Sequence, residues 1–284
     1  MELYAIETGN LKLDGGAMFG VVPKSLWNKI YPADENNLCN LCMRALLIVK
    51  EDRKILIDCG MGDTMDSSLE KFYFLNGDDS LQKSLAEINI SFEAITDVVF
   101  THMHFDHCGG ATRFNASKTG YEVSFPNAHF WSSKAQWDSI IKPNRREKPS
   151  FLKENIEPIE QSGMLSLIET DTELIEGIEL KLFHGHTAGQ IIPHIKYKNH
   201  TLVYVADMIP TAAHIPSSFV CGYDILPLLS IDEKDTFLAN AVSQNYTLFF
   251  EHDIQLQCCS LQNTPKGVRM KEAYSLKDFM KMAE

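Results

Sequence analysis

Residues 101–110 read Thr101-His102-Met103-His104-Phe105-Asp106-His107-Cys108-Gly109-Gly110, directly after an apolar run at 96–100. Four strong metal ligands fall within six residues where a strand stops, which ties the chain to a sheet scaffold that can present its strand ends. Side chains alternate along a strand, so His102 and His104 project to one side and can grip one ion. Asp106 and His107 turn away and can hold a second ion nearby, while Gly109 and Gly110 permit the tight backbone path of such a loop. Imidazole with carboxylate suits zinc and its first-row neighbours. A chance cluster of surface histidines is the plain alternative, and the order of the four ligands argues against it.

Further ligand types recur at strand ends downstream. The run 178–183 ends in His184-Gly185-His186, the run 201–206 in Asp207, and the run 247–250 in Glu251-His252-Asp253. Other β-rich runs are expected at 3–8, 44–50, 54–58, 95–101, 128–132 and 190–197. Several are apolar on both faces, which implies buried strands under a helical cover. Leu81, Leu85 and Ile88 behind Asp79-Ser80 predict one amphipathic helix. Ser230-x-x-Glu233 ahead of Phe237, Leu238 and Ala241 reads as a capping box opening another. The polar stretch near 142–162, with Pro143, Pro149 and Pro158 and a basic cluster at Arg145, Arg146 and Lys148, is expected to be an insertion or flap. The two β-rich halves share a strands-then-helix rhythm, which predicts an α/β chain of two sheet-plus-helix layers.

At 284 residues the chain is long enough for one large domain or two modest ones. The ligand candidates come from both halves, so a single domain over 1–284 is expected. A net charge of −12 disfavours a nucleic-acid groove, and no apolar run approaches the ~20 residues of a membrane span. The partner expected is a small molecule; a homodimer is left open. The N-terminus lacks a secretory pattern and the seven cysteines have no regular spacing, so reduced thiols and a cytoplasmic location are expected. Cys39-x-x-Cys42 has no second pair to complete a zinc site.

In these residues the chain resembles the metallo-β-lactamase superfamily, whose motif HxHxDH is followed by a later His, an Asp and a final His on separate strand ends. The resemblance implies an αββα sandwich of two mixed sheets with helices on the outer faces, and two divalent ions, zinc first, with manganese, iron or cobalt as substitutes. It implies that His102, His104 and His186 bind the first metal, Asp106, His107 and His252 the second, and that Asp207 bridges both. Asp58, in Leu56-Ile57-Asp58-Cys59-Gly60, matches an early strand-end Asp that supports the metal loop from behind. Residues 15–24 and 206–214 are most similar to the branch of quorum-quenching lactonases and organophosphate hydrolases.

Three segments depart from that pattern. Gly185-His186-Thr187-Ala188-Gly189-Gln190 stands where relatives often have Gly-His-Thr-Pro-Gly-His; Pro210 stands where lactonases carry a tyrosine; and Ala206 replaces a Gly, expected to be a change of packing. The implied activity is hydrolysis of an ester or lactone, an N-acyl homoserine lactone among them, by a metal-held hydroxide, with Asp106 or Asp207 carrying the proton. Phe19, Trp27, Phe105, His214, Phe219 and Tyr223 are the expected substrate contacts, with Met18, Val22 and Met103 beside them. Cys108 is expected to pack rather than react. Phosphotriester hydrolysis is the alternative, followed by a glyoxalase II-like thioesterase and a metal-bound sensor without turnover.

Overall fold

The computed structural model describes residues 1–283. In chain order its strands are β1 (Glu2–Asp14), β2 (Leu38–Lys50), β3 (Arg53–Ile57), β4 (Asp97–Val99), β5 (Thr112–Phe114), β6 (Tyr121–Val123), β7 (His129–Ser133), β8 (Leu165–Ile168), β9 (Thr172–Ile175), β10 (Ile178–Phe183), β11 (Gln190–Tyr197), β12 (His200–Tyr204), β13 (Thr247–Phe249), β14 (Cys258–Thr264) and β15 (Gly267–Tyr274). Its helices are α1 (Gly15–Phe19), α2 (Lys24–Trp27), α3 (Ser67–Glu70), α4 (Leu81–Glu87), α5 (Phe105–Cys108), α6 (Lys134–Ile141), α7 (Lys153–Gln161), α8 (Pro227–Ser243) and α9 (Leu276–Met282). The chain divides into two compact units, Met1–Leu11 with Cys42–Thr170 and Lys12–Leu41 with Asp171–Glu284.

In the first unit, β1-β2-β3-β4-β7-β8 is the strand order of a mixed sheet. β2 and β3 are antiparallel, while β3, β4, β7 and β8 run parallel to their neighbours. Central parallel strands are covered on both faces and therefore read as unbroken apolar runs; Ile55, Leu56 and Ile57 are all fully buried. The core gathers Leu47, Leu56, Val98, Phe100 and Phe130 with Leu81 and Leu85 of α4. As expected, Ser80 caps α4 by accepting from the Lys83 amide at 3.2 Å. Within 142–162 lie a short 3₁₀ turn at Lys148–Ser150 and α7, which sends Ile156 and Ile159 into the same core.

In the second unit the order is β15-β14-β13-β12-β11-β10-β9, antiparallel throughout except for β12 against β13. Both larger sheets are mixed, as the resemblance implies. The start of α8 differs from expectation. The helix begins at Pro227, whose fixed φ and missing amide suit the first helical position. Ser230 is therefore already inside the helix, its amide bonded to Leu226 O at 2.9 Å, and Glu233 turns to other amides. No helix among the described residues is long and apolar enough to cross a membrane.

His194 of β11 lies edge-on to Phe237 and Tyr246, with ring centroids 6.1 and 5.5 Å away, and its Nδ1–H donates to Ile192 O at 3.0 Å. His129 instead meets the Ser166 hydroxyl at 2.7 Å, and His200 packs edge-on to Phe279. All three have structural surroundings. None of the seven cysteines forms a disulfide among the described residues, and burial pushes the Cys39 thiol up to about 12, which disfavours the thiolate a zinc ion would need.

Candidate metal centre

In the first unit the loops after β3 and β4 are laced together. Asp58 N donates to Val99 O at 3.0 Å, Cys59 N to His107 O at 2.8 Å and Gly110 N to Gly60 O at 2.9 Å. A Cβ on Gly109 would run into the Met61 backbone and one on Gly110 into that of Cys59. Close approach, rather than a positive φ, is what requires glycine here, since Gly109 has φ −59°. His102 and His104 face each other with ring centroids 4.4 Å apart, and their ligand atoms lie within 4.8 Å. Asp106 and His107 follow on α5, with His107 Nε2 3.7 Å from Asp106 Oδ2.

The partners of these rings settle where each neutral imidazole keeps its proton. Asp58, fully buried, accepts from the Thr101 amide at 2.7 Å and the Thr101 hydroxyl at 2.6 Å. The only proton of that hydroxyl is thus committed, so His102 Nδ1, 3.1 Å away, donates to it. His107 Nδ1 donates to Asp58 Oδ2 at 3.1 Å, and His104 Nε2 to Glu147 Oε1 at 3.3 Å. The lone pairs then fall on His102 Nε2, His104 Nδ1 and His107 Nε2, the arrangement that outer carboxylates impose on metal-ligating histidines. Sequence reasoning picked out Asp58 and missed Glu147, which lies 43 positions from His104 in the polar stretch.

The second unit carries a comparable set. His186 Nδ1 meets Asp224 Oδ1 at 2.9 Å, and its Nε2 lies 3.2 Å from Asp207 Oδ2. The other oxygen, Asp207 Oδ1, lies 3.0 Å from His252 Nε2. One carboxylate thus spans two imidazoles, one oxygen to each. With the His186 proton on Nδ1, its Nε2 presents a lone pair to a carboxylate, and two such atoms in apposition call for a cation, either a proton or a metal ion. Imidazole nitrogens and carboxylate oxygens are the donors that divalent zinc and its neighbours take. The residues present therefore fit such ions. Asp224 was also missed; it is nearly fully buried, 38 positions beyond His186.

Ala206, before Asp207, has φ +41°, a left-handed conformation in which a Cβ is strained. The residue is also fully buried, so its methyl group packs in the core while its backbone carries that strain. Pro210 is buried. His184 turns its Nδ1 to the Gly189 amide at 3.1 Å. Burial raises the Cys108 thiol, and its Sγ donates to Met103 O at 3.4 Å.

The expected substrate contacts divide. His214 is fully buried, stacked 4.4 Å from Phe19, which in turn stacks 4.8 Å from Trp27. Its Nε2–H donates to Met18 O at 2.8 Å and its Nδ1 accepts from the Thr211 hydroxyl at 2.8 Å. These three residues form an aromatic stack in the core, so the expectation that they reach a substrate is corrected. Phe105 is buried against Tyr73 at 4.7 Å. Phe219 is half-buried and Tyr223 exposed.

Desolvation holds both His194 and His214 down to about 4. In the unfolded chain a histidine takes up its proton near pH 6.5. From about pH 6.5 down to about 4 the unfolded state therefore binds more protons, and stability falls as the pH falls, by up to ~3 kcal/mol for each ring. Urea unfolding across that window should show the loss, and His194→Phe should flatten its slope by about half; an unchanged slope would contradict the assignment.

Residues 44–244 match the family described as the metallo-β-lactamase superfamily. An N-acyl homoserine lactonase of Bacillus cereus is 25% identical over 267 residues, covering 89% of this chain and 94% of that protein. The crystal structure of a probable metal-dependent hydrolase from Staphylococcus aureus is 31% identical, with a TM-score of 0.88 over 96% of each chain. AidC, a dizinc quorum-quenching lactonase, shares the fold at 21% identity, with a TM-score of 0.76 over 96% of this chain and 94% of its own. On the family match and the shared fold, the chain belongs to the metallo-β-lactamase superfamily, among its metal-dependent hydrolases.

Proposed function

We propose that the chain is a dinuclear hydrolase of a small ester or lactone, with an N-acyl homoserine lactone as the leading candidate. The observation that carries this reading is Asp207, whose two oxygens face His186 Nε2 and His252 Nε2 at 3.2 and 3.0 Å. In the proposed arrangement His102, His104 and His186 would hold one ion and Asp106, His107 and His252 the other, with Asp207 available to both. Two divalent ions would supply Lewis acidity at the substrate oxygen and a water acidified towards pH 7. The protein's own part is to orient and to move protons. Asp58, Glu147 and Asp224 hold three rings in one tautomer, so no reorganisation is needed when charge develops. Asp106, half-buried on α5, or Asp207 would take a proton and return it to the departing alkoxide. Neither Cys108, buried and held protonated, nor any serine is required as a nucleophile.

The substrate preference rests on the relatives, several of which are N-acyl homoserine lactonases. A phosphotriester is the second reading, favoured by Pro210, which offers no hydroxyl where lactonases carry a tyrosine. The test is turnover by the zinc-loaded protein of acyl-homoserine lactones, aryl esters and a paraoxon-type triester. The account expects kcat/KM to be highest on a lactone or ester. Hydrolysis of the triester alone would favour the second reading, and no turnover on any of them with two bound ions would refute hydrolysis of these classes.

A further inference from the structure

Helix α8 carries two adjacent ionisable residues, Glu233 half-buried and Lys234 buried, that the proposed chemistry does not use. Glu233 accepts from the His184 amide at 2.8 Å and the Gly185 amide at 2.9 Å, the two residues that lead into His186. Lys234, 1% exposed, donates from Nζ to Phe219 O at 2.9 Å and lies 3.4 Å from Pro216 O, on the loop that leads to Asp224. That loop is joined to the segment after β10 by its own backbone, Ile225 N to His186 O at 3.0 Å and Leu226 N to Gly185 O at 2.9 Å. Between the helix and this segment there is no slack, because a Cβ on Gly185 would collide with Ser230. The ring of His186 and the Asp224 carboxylate that fixes its proton are thus each braced by one of two neighbouring side chains on a single helix turn.

Burying an ammonium among carbonyls is costly; desolvation draws Lys234 down to about 8 against the pull of Asp224, Cys221 and Asp235. Stability alone gives little reason to keep such a charge, since well-packed apolar side chains commonly do as well. A locating role does give one. The three donors of an ammonium can hold two carbonyls of an irregular loop at a fixed distance, which an apolar side chain cannot. Likewise, a carboxylate can take two successive amides at a strand end.

We propose that Glu233 and Lys234 are positioning residues for the metal ligand His186, one setting the backbone that delivers its ring and the other setting the loop that delivers Asp224. The inference rests on the reading of His186 as a ligand. The effect should resemble loss of an outer partner of a metal site, at the lower end of its range, about tenfold in the affinity of one ion.

Glu233→Gln, which keeps the shape and one acceptor, and Lys234→Met are compared with His186→Ala in the full-length chain. Zinc affinity is measured by chelator competition, cobalt(II) d–d spectra are recorded, and circular dichroism reports folding. Expected are folded Glu233→Gln and Lys234→Met proteins in which one ion binds about tenfold more weakly, the other is unaltered, and the cobalt spectrum shifts. A merely structural role would lower the melting temperature and leave the affinity and spectrum of the folded protein as in the wild type. If both variants behave so while His186→Ala loses an ion, the positioning role is wrong and the ligand reading stands. Should His186→Ala itself keep both ions at wild-type affinity, the ligand reading fails and takes the inference with it.

Discussion

Replacing Asp207 by asparagine is expected to leave the fold intact and to lower bound metal well below two ions per chain, with kcat/KM falling at least about a thousandfold, or ~4 kcal/mol of barrier. The expectation follows from the way one carboxylate serves two imidazoles, His186 at 3.2 Å and His252 at 3.0 Å. An asparagine keeps the shape but offers one oxygen and one NH₂ group, so one of the two positions becomes a donor where a lone pair is needed. The half-buried position tolerates the amide, and the neighbouring backbone is held independently by the Val205 amide on Phe249 O at 3.2 Å. Metal analysis and steady-state kinetics on the same preparation check both parts. Wild-type stoichiometry in Asp207→Asn would remove the bridging assignment.

Asp58 should show a second large effect, and its two variants should separate stability from metal binding. Asp58→Ala strips the acceptor from the Thr101 amide and hydroxyl and leaves His107 Nδ1 without its carboxylate. It also places alanine at φ +55°, which aspartate tolerates better. Leaving buried donors unsatisfied and breaking a buried charge-assisted network together cost about 4 kcal/mol. For a chain of this size that corresponds to a fall in melting temperature on the order of 10 °C. Asp58→Asn accepts the same backbone conformation and retains one acceptor, so most of the stability should remain. Its NH₂ group, turned to His107, would draw the lone pair onto Nδ1 and the proton onto Nε2. The chain should then fold yet bind one ion about tenfold to a hundredfold more weakly. Thermal unfolding of the metal-free proteins, read beside zinc titrations, distinguishes the two variants.

The part of the candidate centre legible in the sequence is the part written locally. His102 and His104 alternate, Asp106 and His107 follow on one short helix, and His186, Asp207 and His252 each come just after a strand that its apolar run betrays. Asp58 was legible for the same reason. Glu147 and Asp224 were not, because each is an acidic residue in an unremarkable polar setting and acquires meaning only when the fold carries it to a histidine far along the chain. The strands show the same division. Central runs such as Ile55–Ile57 announce themselves by being apolar on both faces, whereas β15, exposed along most of its length, has no alternation to read. At α8 a local rule misled: Ser230 and Glu233 have the spacing of a capping box, but Pro227 starts the helix one turn earlier and frees Glu233 for the His184 and Gly185 amides. His214 misled in the opposite way, since its position after Asp207 spoke for a substrate contact and its burial against Phe19 spoke for the core.

Everything proposed for this chain depends on its ligands holding divalent metal, and the most direct measurement is the metal content of the purified protein by plasma mass spectrometry, read beside hydrolysis of a lactone or aryl ester before and after chelation. The account expects about two divalent ions per chain, loss of turnover as they are stripped, and recovery when zinc is returned. A protein that carries no stoichiometric metal, or that hydrolyses the same substrate equally well once stripped, would contradict it.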